Sequence, residues 1–122
     1  MILVDTSVWI DHLRKPDTKL EELLDSGDVL THPLVRLELA LGSIANREQM
    51  LANLALLQEA EVADTAELFR LVEARELYRR GVGVTDLHLL ASALMDKTVS
   101  IWTRDRRLGQ IAEELGVKAP LP

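Results

Sequence analysis

Short apolar runs alternate with segments of helical pattern along the whole chain. Ile2-Leu3-Val4 reads as a buried strand ending at Asp5. Thr6 to Leu13 reads as a short helix stopped by Pro16, and Asp17 can cap a second helix that ends at Gly27. Val29 to His32 is a second strand, and Pro33 suits the first turn of a helix running to Gly42. Residues 46–58 carry Met50, Leu51, Leu54 and Leu57 at helical spacing, and a brief extended piece is expected near 61–63. A long helix is expected from Asp64 or Thr65 to Arg79-Arg80-Gly81, and another from Thr85. Thr98 to Trp102 reads as a strand, residues 105–115 as a helix closed by Gly116, and Val117 to Ala119 as a final edge strand. Such alternation builds βαβ units, whose parallel sheet needs helices on both faces. The expected fold is therefore α/β: one three-layer α/β/α domain over residues 1–122, with a four- or five-stranded parallel sheet.

Composition narrows the function. Hydrophobic residues make up 48% of the 122, enough for a core, and aromatics only 3%, so that core is aliphatic. There is no cysteine, hence no disulfide, thiolate metal site or cysteine nucleophile. The apolar stretches fall short of the ~20 residues of a membrane span. No basic segment precedes Ile2-Leu3-Val4 as in a signal peptide. No membrane association and a cytoplasmic location are expected. The net charge of −6 argues against a protein that simply coats nucleic acid.

In an open parallel sheet, ligands bind beyond the C-terminal strand ends, where the strand order reverses. Asp5 follows the first strand directly, and Asp105 lies just past the late one. Asp86 opens the helix before that late strand, and Glu38 lies on the helix after the second. A helix-start acid is commonly a cap, so Asp86 and Asp105 each carry that reading as well. Glu38 alone would pass for an ordinary exposed helix residue. Asp5 differs, because a bare carboxylate at the tip of a buried strand is costly unless paired or metal-bound. Four converging acids without a cationic partner repel one another, and at least one of them should titrate high. Hard oxygen donors select Mg²⁺ or Mn²⁺ to relieve that repulsion.

Met1-Ile-Leu-Val-Asp-Thr-Ser-Val-Trp-Ile10 resembles the opening of a PIN-domain ribonuclease, in particular the VapC-type toxins of bacterial toxin–antitoxin pairs. The resemblance continues at Arg36-Leu-Glu38, at Gly83-Val-Thr-Asp-Leu-His-Leu-Leu-Ala-Ser92 and at Trp102-Thr-Arg-Asp-Arg-Arg-Leu108. It implies an acidic quartet at Asp5, Glu38, Asp86 and Asp105, and Mg²⁺-dependent endonucleolytic cleavage of RNA to a 3′-hydroxyl and a 5′-phosphate. Asp5, Asp86 and Asp105 would touch the metal, while Glu38 would act through water or orient the attacking water. Thr6, with Ser7 beside it, and Thr103 would hydrogen-bond carboxylates or phosphate oxygens. The resemblance further implies a homodimer, and an antitoxin whose C-terminal tail inserts an arginine among the acids. Residues 43–80 match no motif, and substrate choice is a candidate role for them.

Two basic clusters could guide RNA: Arg75, Arg79 and Arg80, and Arg104, Arg106 and Arg107. The second adjoins Asp105, so Arg104 and Arg106 are the expected phosphate contacts, while the first reads as a basic helix end complementing the dipole. Trp9 and Trp102 are expected in the core. His12, His32 and His88 show no metal spacing, and His88 lies roughly 200° round the helix from Asp86. Three other readings compete. A haloacid-dehalogenase-type phosphatase needs an acid at position 7, which is Ser7. A receiver domain needs an acidic pair where Asp5 stands alone. A non-catalytic RNA- or partner-binding module would not need the quartet.

Overall fold

The computed structural model describes residues 1–122. In chain order the elements are β1 (Ile2–Val4), α1 (Thr6–Arg14), α2 (Thr18–Asp25), β2 (Val29–Thr31), α3 (Pro33–Leu41), α4 (Arg47–Ala55), β3 (Gln58–Glu59), α5 (Thr65–Ala74), α6 (Val84–Met95), β4 (Ser100–Trp102) and α7 (Arg106–Glu114). The four strands form one parallel sheet in the order β3-β2-β1-β4, as the α/β/α reading requires. Its register sets Leu3 beside Leu30 and Ile101, and Val4 beside Trp102. Leu3, Val4 and Ile101 are wholly buried, so the centre of the sheet is covered on both faces. Trp9 and Trp102 sit in the core, as their apolar surroundings imply.

Local chemistry starts and stops the helices. The side chains of Asp5, Asp17 and Asp105 accept backbone N–H groups of Ser7, Leu20 and Leu108, capping α1, α2 and α7. Asp64 and Glu67 cap α5 reciprocally. Beyond α2, Gly27 takes a left-handed φ of 71° in open space, the conformation that favours glycine.

Three expectations are corrected. The extended piece lies at Gln58–Glu59 rather than at 61–63. Helix α5 ends at Ala74, well before Arg79, because Glu76 and Arg79 adopt left-handed φ values of 52° and 63°. Val117 to Ala119 runs beside β4 but forms a single parallel bridge, Ile101 to Lys118, so the sheet has four strands. No helix is long and apolar enough to cross a membrane.

Candidate active site

Strand order runs outward from β1 to β2 and β3 on one side, and β4 lies on the other. The reversal point is therefore the crevice between the C-terminal ends of β1 and β4, where a ligand has room between diverging connections. Asp5 leaves β1 at that crevice, and its N–H still donates to the Trp102 carbonyl at 2.9 Å. Thr103 and Asp105 leave β4 at the same edge.

Asp5 is only 5% exposed. One of its oxygens, Oδ2, takes the Ser7 hydroxyl at 2.6 Å and the Thr103 hydroxyl at 2.8 Å. Each hydroxyl is itself oriented by a main-chain donor. The Arg104 N–H donates to Ser7 Oγ at 2.9 Å, and the Asp105 N–H donates to Thr103 Oγ1 at 3.0 Å. Such outer partners fix the rotamer of a carboxylate, and both act on one oxygen and leave the other out of these bonds. Thr6 serves a different acid, donating to Glu38 Oε1 at 2.6 Å across from α1 to α3. Asp86, in the first turn of α6, accepts the Gly83 N–H at 3.4 Å. Asp105 exposes its carboxylate while Oδ1 caps α7 at 2.9 Å. The capping reading thus holds for Asp105, Asp5 caps α1 in the same way, and both acids stand at the crevice.

Electrostatics joins the four acids. Burial first, and then the charges of Asp5, Asp105 and Glu38, push the Asp86 carboxyl up from 3.8 to about 6, against the Gly83 hydrogen bond that lowers it. A raised carboxyl was expected from repulsion; desolvation leads and repulsion follows. No lysine, arginine or histidine forms an ion pair with any of the four. No three His, Asp or Glu side chains are gathered closely enough to hold a metal ion as they stand. The donor chemistry fits one nonetheless: the donors are all carboxylate oxygens, uncompensated and partly desolvated, which suits Mg²⁺ or Mn²⁺. Asp5, Asp86 and Asp105 are the residues that could hold it, with Glu38 at the margin.

The remaining expected residues divide. Arg106 is exposed, beside Asp105, and pairs with no acid. Arg104 is committed elsewhere, to Asp11 and Asp17. Arg80 is paired with Glu114 through two hydrogen bonds of 2.8 and 2.9 Å, so the first basic cluster is a loop anchor and not the end of a helix. Ser7, noted only as a neighbour of Thr6, proves to be the closer partner of Asp5; the signal was a hydroxyl two residues past the acid, in reach of its cap. His32 and His88 face each other with ring centres 5.2 Å apart, and the sequence carried no sign of that pairing.

The PIN domain family matches residues 2–114. Two curated relatives, each described as "Ribonuclease VapC32", come from Mycobacterium tuberculosis strains CDC 1551 / Oshkosh and ATCC 25618 / H37Rv. Each is 49% identical over 117 residues, which cover 96% of this chain and 94% of the relative.

Proposed function

Since the chain belongs to the PIN-domain family, we propose that it is a Mg²⁺- or Mn²⁺-dependent endoribonuclease acting as the toxin of a toxin–antitoxin pair. One observation carries the reading: Asp5 and Asp105 stand at the strand-order reversal, Asp86 feels both of them and Glu38, and no cation pairs with any of the four. Relatives described as ribonucleases support it. Asp5, Asp86 and Asp105 would hold the ion, which when bound supplies a Lewis acid that activates water and offsets charge developing on the phosphate. Glu38, oriented by Thr6, would align the attacking water or bind through water. Water oxygen attacks phosphorus, the bond to the 3′ oxygen breaks, and that oxygen takes a proton. The products are a 3′-hydroxyl and a 5′-phosphate. Thr103 and Ser7 keep Asp5 in place throughout, and Arg106 is the free cation for a flanking phosphate. A cytoplasmic location, where cellular RNA is made and used, goes with this reading.

Asp5→Asn, Asp86→Asn and Asp105→Asn should each abolish metal-dependent RNA cleavage with the fold kept, because Asn still caps a helix. The effects should be non-additive, as expected of one binding unit. Full activity in two of the three single variants would remove the assignment, and cleavage by none of the proteins, wild type included, in Mg²⁺ would favour a binding module. The accessible acids also suit the planar fork of an arginine, so an antitoxin with an Arg-bearing C-terminal tail is the proposed inhibitor. Exposed Leu41, Leu56, Phe69 and Val84 supply apolar surface for a homodimer. Replacing the tail arginines by alanine should weaken inhibition; an antitoxin lacking them that inhibited fully would refute the arginine contact. Light scattering should give twice the chain mass.

A further inference from the structure

Thr103, Arg104 and Asp105 form the whole connection between β4 and α7, tied at its far end by the Asp105 cap of α7. The Arg104 side chain ties its middle to two other helices. Its Nη1 donates to Asp11 Oδ2 at 2.9 Å, its Nη2 to Asp17 Oδ2 at 2.6 Å, and its Nε to the Pro122 carbonyl at 3.0 Å. The guanidinium also lies 5.3 Å from the centre of the Trp102 ring. All three nitrogens are in use, so the guanidinium is held by the protein itself on every arm. Asp11 belongs to α1, and Asp17 is the cap of α2. The hydrogen bond from Arg104 is the leading reason the Asp17 carboxyl titrates below its ordinary range. The Asp17 pair is the shielded one, with Arg104 26% and Asp17 19% exposed, so solvent screens it less than a surface pair, while Asp11 is 46% exposed.

What this residue anchors is the site. Its own N–H orients the Ser7 hydroxyl on Asp5, its predecessor supplies the second hydroxyl on Asp5, and its successor is the acid Asp105. We propose that Arg104 is a positioning residue for phosphodiester cleavage, whose side chain bolts the Thr103–Asp105 connection to α1 and α2 and so sets Asp5 against Asp105. It rests on the nuclease reading above. A residue of this kind acts through geometry: outer partners of metal-holding groups typically matter by about 10- to 100-fold, and misplacement by about 1 Å can cost as much.

The test compares wild type, Arg104→Lys, Arg104→Ala, the double variant Asp11→Asn/Asp17→Asn and the triple variant combining it with Arg104→Ala. Asn at position 17 keeps the cap of α2. Each full-length protein is measured by steady-state cleavage of a randomised single-stranded RNA in Mn²⁺, and by Mn²⁺ binding followed by electron paramagnetic resonance without RNA. Arg104→Ala and the double variant should each lose about 10- to 100-fold in kcat, with KM within about twofold, and bind Mn²⁺ about tenfold more weakly. Arg104→Lys should fall between, since one ammonium cannot span three acceptors. The triple variant should be no worse than Arg104→Ala. A raised KM at unchanged kcat, with the double variant behaving as wild type, would show Arg104 on phosphate and overturn the proposal. Wild-type kcat and Mn²⁺ affinity in every variant, with only a lower Tm, would overturn it too. Should Arg104→Ala fail to fold, the lysine and double variants decide alone. Wild type that cleaves no RNA defeats the nuclease reading, and the Mn²⁺ affinities then still judge the positioning.

Discussion

His32 closes β2 and opens α3 with one imidazole. Its Nδ1 accepts the Leu34 N–H at 3.1 Å, which puts the proton of the neutral ring on Nε2. The residue is wholly buried. Burial first, then the positive charges of His88 and Arg36, push its pKa down from 6.5 to about 4. The unfolded chain therefore binds a proton that the native state refuses between those values. Stability is intact above pH 6.5 and falls as pH drops through the window to about 4, by at most roughly 3 kcal/mol. His32→Asn keeps a capping acceptor and removes the titration. Urea melts should show it weaker at pH 7, from lost volume, yet with a flatter decline toward pH 4. An unchanged decline would assign the acid sensitivity to other groups. Residues differ in how plainly the chain announces them. Asp5 was legible because a carboxylate ends an apolar run. That Thr6 and Thr103 bind carboxylates was implied by the resemblance, but which acid each serves, and that Arg104 holds Asp17, was not, because these pairs span 32, 98 and 87 positions.

Among the elements, β1, β2 and β4 were legible as apolar runs because both their faces are covered. Strand β3 was displaced in the reading because both its residues are polar and exposed, as an edge permits. The end of α5 had no glycine or proline to mark it; instead Glu76 and Arg79 take the left-handed turns themselves. The loop that follows is pinned by Arg80 on Glu114 and by Gly81, whose φ is 75°. A Cβ there would lie 2.7 Å from Arg107 Nη1 and 2.9 Å from its Cδ. Gly27 has the same handedness with nothing near it. Gly27→Ala should therefore cost only the left-handed penalty, about 1–2 kcal/mol. Gly81→Ala should cost more, and adding Arg107→Ala should return it to the Gly27→Ala level when each is measured against its own parent. Equal costs for both single variants would mean that Arg107 moves aside freely.

At the scale of the molecule, the order β3-β2-β1-β4 sets Asp5 and Asp105 at neighbouring strand ends, and Asp86 lies near enough to feel both of them and Glu38. Metal binding there should register in global stability. Saturating Mg²⁺ should stabilise the wild type by about 1–3 kcal/mol at 10 to 100 times Kd. Asp5→Asn should gain much less, and in EDTA it should be neutral or slightly more stable than wild type. That gain is modest because desolvation, ahead of the Asp5 charge, is what raises Asp86. Thermal melts at fixed ionic strength check both statements, and equal Mg²⁺ shifts in the two proteins would rule out a metal at Asp5. The layered fold was legible from the alternation of elements. The reversal between β1 and β4 was not, since strand order is fixed by which helices fill which face and not by any local run.

The parallel sheet has two rims, and Asp5 and Asp105 leave their strands at one of them. The turn at Gly27 enters β2 from the other rim, as the Asp96–Thr98 turn enters β4, and Gly27 has open space around it. That far rim is where a fluorophore, an affinity handle or a surface tether can be attached, leaving the rim of the proposed site free.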